Sequence, residues 1–160
     1  MEGIYLGLGS NIGDRKKHIS QTINKIESKI GPCLQQSSLY KTAAWGKTNQ
    51  SYFINQVIEI HTEWAPIDIL DGILAIEKQL GRIRKEKWGE RIIDIDLLFY
   101  GSEIVELPRL LVPHPFIAER RFVLAPMHEI APDFIHPIFE RSISALLAAC
   151  PDPLPVELVD

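Results

Sequence analysis

Ile92-Ile93-Asp94-Ile95-Asp96-Leu97-Leu98-Phe99-Tyr100 is the stretch from which the rest of the chain is best understood. Successive side chains of a β-strand point to opposite faces. A strand here sets Asp94 and Asp96 on one face and Ile93, Ile95, Leu97 and Phe99 on the other. The apolar face belongs against a core, and the acidic face is what the sheet displays. Gly101-Ser102 then reads as a two-residue turn into a strand over residues 103–107, the best hairpin signal in the sequence.

Upstream, residues 4–8 form a short apolar run that stops at Gly9-Ser10-Asn11, a buried strand entering a turn. Ile19, Ile23, Ile26 and Ile30 recur at helical spacing before Gly31-Pro32. Residues 34–40 read as a second strand, and residues 42–51, with Gly46 and small polar side chains, as a mobile loop. Residues 53–61 alternate, with Ile54, Ile58 and Ile60 opposite Phe53, Asn55 and Val57. Pro66 opens a helix lined by Ile69, Ile73, Ile76 and Leu80, which ends at Gly81. Downstream, Pro113-His114-Pro115 introduces a helical stretch over residues 118–130, and residues 142–150 form a short last helix. The tail from Pro151 reads as irregular. Hairpins mixed with helices at this length predict an α+β sandwich with a mainly antiparallel, ferredoxin-like sheet, and one domain over residues 1–160.

Composition narrows the function classes. The chain has 46% hydrophobic and 24% charged residues, as folded domains do, and a formal net charge of -4, which argues against a surface for nucleic acid or anionic membrane. The 2 cysteines, Cys33 and Cys150, fit neither a disulfide framework nor structural zinc. No run approaches the length of a membrane span, and the expected location is cytoplasmic.

Two carboxylates pointing the same way repel each other in a low dielectric, and a hard divalent cation such as magnesium removes that penalty while binding phosphate oxygens. A lone Asp-x-Asp is more often a solvated strand face. Here residues 82–91, Arg-Ile-Arg-Lys-Glu-Lys-Trp-Gly-Glu-Arg, place five basic side chains directly before the acids. Arginine forks bind phosphate oxygens, and a basic loop can close over a polyphosphate. Arg109, His114, Arg120 and Arg121 add further polar groups downstream. Phe53 and Asn55 share a strand face, which suits stacking and edge recognition of a flat heterocycle as well as it suits an ordinary core pair. The Gly7-Leu8-Gly9-Ser10-Asn11 turn lacks the pattern of a phosphate loop and reads as structural.

Taken in order, Leu6-Gly-Leu-Gly-Ser-Asn11, Ser38-Leu-Tyr-Lys-Thr42, Phe53-Ile-Asn55, Gly81-Arg-Ile-Arg-Lys85, Trp88-Gly-Glu-Arg91, Asp94-Ile-Asp96, Val112-Pro-His114 and Arg120-Arg-Phe122 resemble the 6-hydroxymethyl-7,8-dihydropterin pyrophosphokinases of folate biosynthesis. The resemblance implies a ferredoxin-like monomer with mobile active-site loops that moves pyrophosphate from ATP to a pterin hydroxymethyl group and releases AMP. It implies that Asp94 and Asp96 hold two magnesium ions. Arg82, Arg84, Lys85, Trp88 and Arg91 match the loop over the nucleotide, with Arg82, Arg84 and Arg91 counted as catalytic. His114 and Arg120 match phosphate contacts, and Arg109 a position near the adenosine. Phe53 and Phe122 match the aromatic slabs around the pterin, Asn55 with the backbone at Thr42 and Ala44 its hydrogen-bonding edge, and Trp45, on the second loop, is counted with the pterin contacts. The chain departs from the pattern at Pro115, where Tyr can occur, and at Lys87, where Arg can occur. Leu74 with Glu77 stands where Gln with Glu can occur beside adenine, so Glu77 is counted with the nucleotide contacts.

Two other readings use the same residues. A magnesium-dependent nuclease or phosphodiesterase also needs paired acids, but it requires a basic track that the net acidity opposes. A noncatalytic nucleotide or pterin sensor would keep the fold, and intact Asp94, Asp96 and Arg91 argue against it.

Overall fold

The computed structural model describes residues 3–42, 52–81 and 92–159. The segments expected as active-site loops, residues 43–51 and 82–91, fall outside these. The central strand is β1 (Ile4–Ser10), flanked antiparallel by β4 (Phe53–Ile60) and β5 (Asp94–Tyr100). The sheet continues from β4 to β3 (Tyr40–Thr42) and then to β8 (Val156–Leu158), while β2 (Cys33–Gln36) also pairs with β4. Helix α1 (Arg15–Lys29) lies between β1 and β2, and α2 (Pro66–Gln79) between β4 and β5. The order is β-α-β-β-β-α-β, and because β2 and β3 follow one another along the same partner, β4, this is the expected antiparallel, ferredoxin-like α+β arrangement with its second strand split in two.

Local chemistry sets the helix ends. Asp14 caps α1 by accepting from the Lys17 N–H at 3.2 Å, and Pro66 opens α2, where a missing N–H costs nothing. Beyond α2, Gly81 takes a φ of +83°, the left-handed conformation that ends a helix cheaply only at glycine. Between α1, α2 and the sheet, Ile4, Leu6, Leu8, Ile58 and Ile95 meet Ile19, Ile26, Ile69, Ile73 and Ile76. The other face carries α3 (Arg121–Ile130) and α4 (Ile143–Ala148), whose Leu124, Met127, Ile143 and Leu146 pack on Tyr5, Val57, Leu98 and Phe99. Among the described residues no helix is long and apolar enough to cross a membrane.

Five expectations are corrected. Residues 34–40 form two strands, because Ser37 interrupts the ladder. Its N–H donates to the Val57 carbonyl, and its Oγ accepts from the Val57 N–H at 3.0 Å. Phe99 leaves the face of Ile95 and Leu97. Tyr5 pairs with Phe99 but Leu6 with Leu97, so Leu98 is a surplus residue, a β-bulge that turns Leu98 and Phe99 both toward α3. The turn at residues 101–102 does not return a strand onto β5. Instead β6 (Val105–Leu107) pairs with β7 (Leu110–Val112) across Pro108-Arg109. The free edge of β5 is already occupied, the Ile95 N–H by the Glu77 carboxylate and the Leu98 carbonyl by the His114 N–H. The single helix expected over residues 118–130 is broken by Arg120, which is extended (φ -128°, ψ 99°) between a short 3-10 turn (Ile117–Glu119) and α3. Finally, the tail is not wholly irregular, since β8 adds an edge strand to β3.

His136 is 2% exposed, and its Nδ1 accepts from the N–H groups of Ile138 and Phe139, each at 3.2 Å. Burial holds its pKa below the ordinary 6.5. The unfolded chain therefore binds more protons below about pH 6.5, and stability falls as pH falls from there toward the lower folded value. Thermal melts between pH 7 and 5 should show this loss in the native chain and a shallower slope in His136→Asn, whose amide oxygen keeps an acceptor that does not titrate. Identical slopes would refute the assignment.

Candidate active site

The register of the three central strands builds the site. Gly9 on β1 pairs with Asn55 on β4 and with Asp94 on β5, and Gly7 pairs likewise with Val57 and Asp96. Asn55, Gly9 and Asp94 therefore form one row across the sheet, on the face that carries α3. Neighbouring strands lie ~4.8 Å apart, so the amide and the carboxylate stand about 10 Å from each other over a glycine floor. That span suits a bicyclic heterocycle with a short side arm reaching toward the acids.

At the β4 end, the buried Asn55 donates from Nδ2 to Thr42 Oγ1 at 2.8 Å, which fixes the direction of its amide. Phe53 is half-buried beside it and pairs with Thr42. A Cβ on Gly9 would come within 2.9 Å of Asn55 Oδ1 and 3.6 Å of the Phe53 ring. A side chain at Gly9 could enter only by displacing the Asn55 amide, so glycine keeps the floor flat in the turn that the sequence marks as structural. The signal was present, since Gly7 and Gly9 keep the same two-residue period as Asp94 and Asp96.

At the β5 end, His114 Nε2 lies 4.0 Å from Asp96 Oδ1, too far for a hydrogen bond. Burial pushes the imidazole down to about 4, with Arg120 lowering it further and Asp94 opposing. The ring is thus neutral, and Nδ1 accepts from the Phe116 N–H at 3.4 Å, which leaves the proton on Nε2 facing the acids. The bulge holds this geometry, because the carbonyl of Leu98 accepts from the His114 N–H at 3.1 Å. Arg120 spreads its guanidinium between two rings, 5.1 Å from Phe116 and 5.7 Å from Phe122.

Helix α3, which begins at Arg121 and so carries Phe122 in its first turn, is tied across the sheet by Glu129. That carboxylate accepts from Ser38 N–H, Ser38 Oγ and the Tyr40 hydroxyl. Burial alone would raise the Glu129 pKa, but these hydrogen bonds outweigh it and leave the group below its ordinary value. The Tyr40 phenol is pushed up to about 12 by burial and by Glu129.

Thr42, Phe53, Asn55, Asp94 and Asp96 share one face, with His114, Arg120 and Phe122 at its rim. Glu77 is elsewhere. It is 4% exposed on the inner side of α2 and accepts from the Ile95 N–H at 2.9 Å, which pins the residue between the two aspartates. A buried carboxylate must be hydrogen-bonded, and the backbone of β5 supplies that partner here. Its spacing gave a clue, because Glu77 follows Ile73 by four residues on the buried stripe. Arg109, on the β6–β7 turn, donates to Asp71 on α2 at 2.6 Å. Arg121 also departs from expectation, giving its guanidinium to the carbonyls of Cys150 and Asp152. Ala44, Trp45, Arg82, Arg84, Lys85, Trp88 and Arg91 lie outside the described residues.

An antiparallel α+β sheet that sets two carboxylates in line with an amide over a glycine floor, with His114 and Arg120 at the rim, is an arrangement that phosphate-group transfer can use. Comparison with known proteins gives the family. The profile of 7,8-dihydro-6-hydroxymethylpterin-pyrophosphokinase matches residues 5–132. The 2-amino-4-hydroxy-6-hydroxymethyldihydropteridine pyrophosphokinase of Aquifex aeolicus is 42% identical over 143 residues, covering 89% of each chain. That of Methylorubrum extorquens is 41% identical over 161 residues, covering 100% of both. Among solved structures, a Plasmodium falciparum HPPK-DHPS with pteroate superposes with a TM-score of 0.72 at 17% identity, over 92% of this chain and 43% of that one, and so supports the fold. The chain belongs to the 7,8-dihydro-6-hydroxymethylpterin-pyrophosphokinase family. Members of this family are ATP-dependent diphosphotransferases of folate biosynthesis, with ATP and the hydroxymethyl dihydropterin as substrates.

Gly9→Ala should weaken pterin binding and spare ATP. The added methyl displaces Asn55 and strains its bond to Thr42. A net hydrogen bond is worth about 1 kcal/mol, so the expected loss is about fivefold by calorimetry. Unchanged pterin affinity would show that the floor is not where the ring rests.

Proposed function

We propose that this chain transfers pyrophosphate from ATP to the hydroxymethyl group of 6-hydroxymethyl-7,8-dihydropterin, with the ring held over Gly9 and the phosphates at Asp94 and Asp96. The Asn55–Gly9–Asp94 row carries this reading, because it joins an edge-recognising amide to a carboxylate through an unobstructed floor. The pterin stacks between Phe53 and Phe122, and its polar edge meets Asn55 and the backbone near Thr42 and Ala44.

The donor set fits magnesium. Two aspartate carboxylates are hard oxygen ligands, and this ion commonly takes only one or two carboxylates, the rest of its shell being phosphate oxygens and water. Asp94 and Asp96 would hold two ions, which when bound supply positive charge to the polyphosphate. The remaining work falls to the chain. His114, neutral, donates from Nε2, and Arg120 brings a fixed charge. Arg82, Arg84, Lys85, Trp88 and Arg91 close over the nucleotide with Trp45 on the opposite loop, and exclude water. Arg109 contributes near the adenosine by exchanging its partner, which an exposed ion pair such as Arg109–Asp71 allows at a cost of at most ~1 kcal/mol.

The pterin hydroxyl oxygen attacks the β-phosphorus. A bond forms from that oxygen to phosphorus, the bond from the β-phosphorus to the oxygen of the α-phosphate breaks, AMP leaves with that oxygen, and the hydroxyl proton passes to solvent. No strong base is needed, since such transition states are loose and positioning supplies most of the catalysis. The enzyme acts as a cytoplasmic monomer of one domain, as the resemblance implies.

ATP labelled at the γ-phosphate should give a labelled pterin diphosphate with unlabelled AMP. A pterin monophosphate with ADP would refute the reaction. Asp94→Ala and Asp96→Ala should each lower turnover by at least about a hundredfold while the fold remains, as removal of a catalytic electrostatic group does. Near-normal magnesium-dependent turnover in both would refute the metal assignment. Phe122→Ala should weaken pterin binding by about tenfold, in line with ~1 to 3 kcal/mol for stacking on an aromatic, and affect ATP less. Equal losses for the two ligands would instead mark Phe122 as a core residue.

A further inference from the structure

Helix α3 begins with a deficiency. Its N-cap is Arg120, which makes no side-chain cap hydrogen bond, although the first N–H groups of a helix need acceptors from outside it. The acceptor comes from the C-terminal tail. Asp152 is 5% exposed, and its Oδ2 accepts from the Arg121 N–H at 3.1 Å while its Oδ1 accepts from the Leu154 N–H at 3.0 Å. The contact is reciprocal. The Arg121 guanidinium donates to the carbonyl of Cys150 at 3.1 Å and to that of Asp152 at 3.3 Å. A carboxylate at the positive end of a ten-residue helix is also favoured electrostatically.

The site lies on both sides of this clasp. Arg120 and Phe122 flank Arg121 in sequence, and the Arg120 guanidinium lies 5.7 Å from the Phe122 ring. Four residues after Asp152 the tail enters β8, where Val156 pairs with Thr42, the residue whose hydroxyl accepts from Asn55. One short segment thus runs from the helix that carries one aromatic wall to the strand that supports the amide at the other. The family profile ends at residue 132, so its match assigns nothing to this segment.

We propose that Asp152 is a positioning residue for pterin binding, setting the place of Phe122 by capping α3 from the tail; this rests on the reading of Phe122 as a pterin-stacking residue. Loss of the carboxylate frees the first turn of α3, and the ring then stacks less well although no group touching substrate has changed.

A double-mutant cycle on the full chain tests this, with calorimetric titration of 6-hydroxymethyl-7,8-dihydropterin and a thermal melt of each variant. Asp152→Ala should weaken pterin binding by about fivefold, the factor that loss of a helix cap corresponds to. In a Phe122→Ala background the same change should weaken it less than about twofold, because sites that act through one another are not additive. Asp152→Asn, which keeps the shape and one acceptor, should fall between, and it carries the cycle if the alanine variant does not fold. An equal loss in both backgrounds, or a lower melting temperature with unchanged pterin affinity, would overturn the proposal. If Phe122→Ala alone leaves pterin affinity unchanged, the stacking reading and this proposal both fall; a clear Phe122 effect with none from Asp152 removes only the role of the tail.

Discussion

The placement of β1 between two antiparallel partners is the constraint on which the rest depends. Antiparallel register fixes which residues stand side by side, and a slip of one position would send every side chain to the other face. In this register Gly9 falls between the amide of Asn55 and Asp94, and Gly7 between Val57 and Asp96. The amide on one side and the acids on the other are thereby held at a separation set by the hydrogen-bond spacing of the sheet, with no loop intervening. The isoleucine-rich face beneath makes the arrangement rigid, since a shift of the strands would expose Leu6, Leu8, Ile58 and Ile95 together.

Charge is arranged locally in an acidic chain. The described rim keeps His114 neutral by burial, so its ring offers a hydrogen bond without adding a proton that would compete for the aspartates. The fixed positive charge sits on Arg120, shared between two aromatic rings. Glu77 accepts from the backbone at the edge of β5, so a third carboxylate beside the acidic strand also serves the fold.

Much of this was legible in the sequence. The strand alternation of residues 53–61 and 92–97 and the helical spacing of Ile19 to Ile30 and Ile69 to Leu80 carry the fold, because each segment has one strongly apolar face and clear breakers. The acids were legible for the same reason. What could not be read was partnership. Ser37 splits a strand by bonding to Val57, twenty residues away, and Asp152 caps a helix that begins thirty-one residues before it. Edge occupancy by Glu77 and His114 decides that residues 103–107 pair elsewhere, and local turn propensity contains no trace of that competition. The bulge was hidden because Leu97, Leu98 and Phe99 are all apolar, so the pattern looks regular whichever way each one points. Arg109 and Arg121 show the same limit for charges, their partners being set by packing.

The surplus residue at Leu98 gives β5 two independent parities. Before it, odd positions face α1 and α2; after it, Phe99 faces α3 and Tyr100 the opposite layer. A volume-conserving apolar substitution at the buried Leu98 would disclose little of this. Length would disclose it at once. Removing one residue anywhere between Asp96 and Tyr100 restores a regular ladder and in doing so withdraws the carbonyl that holds the backbone of His114. The strand therefore takes volume-conserving apolar swaps far better than a change of count, and related chains would be expected to agree on how many residues it holds.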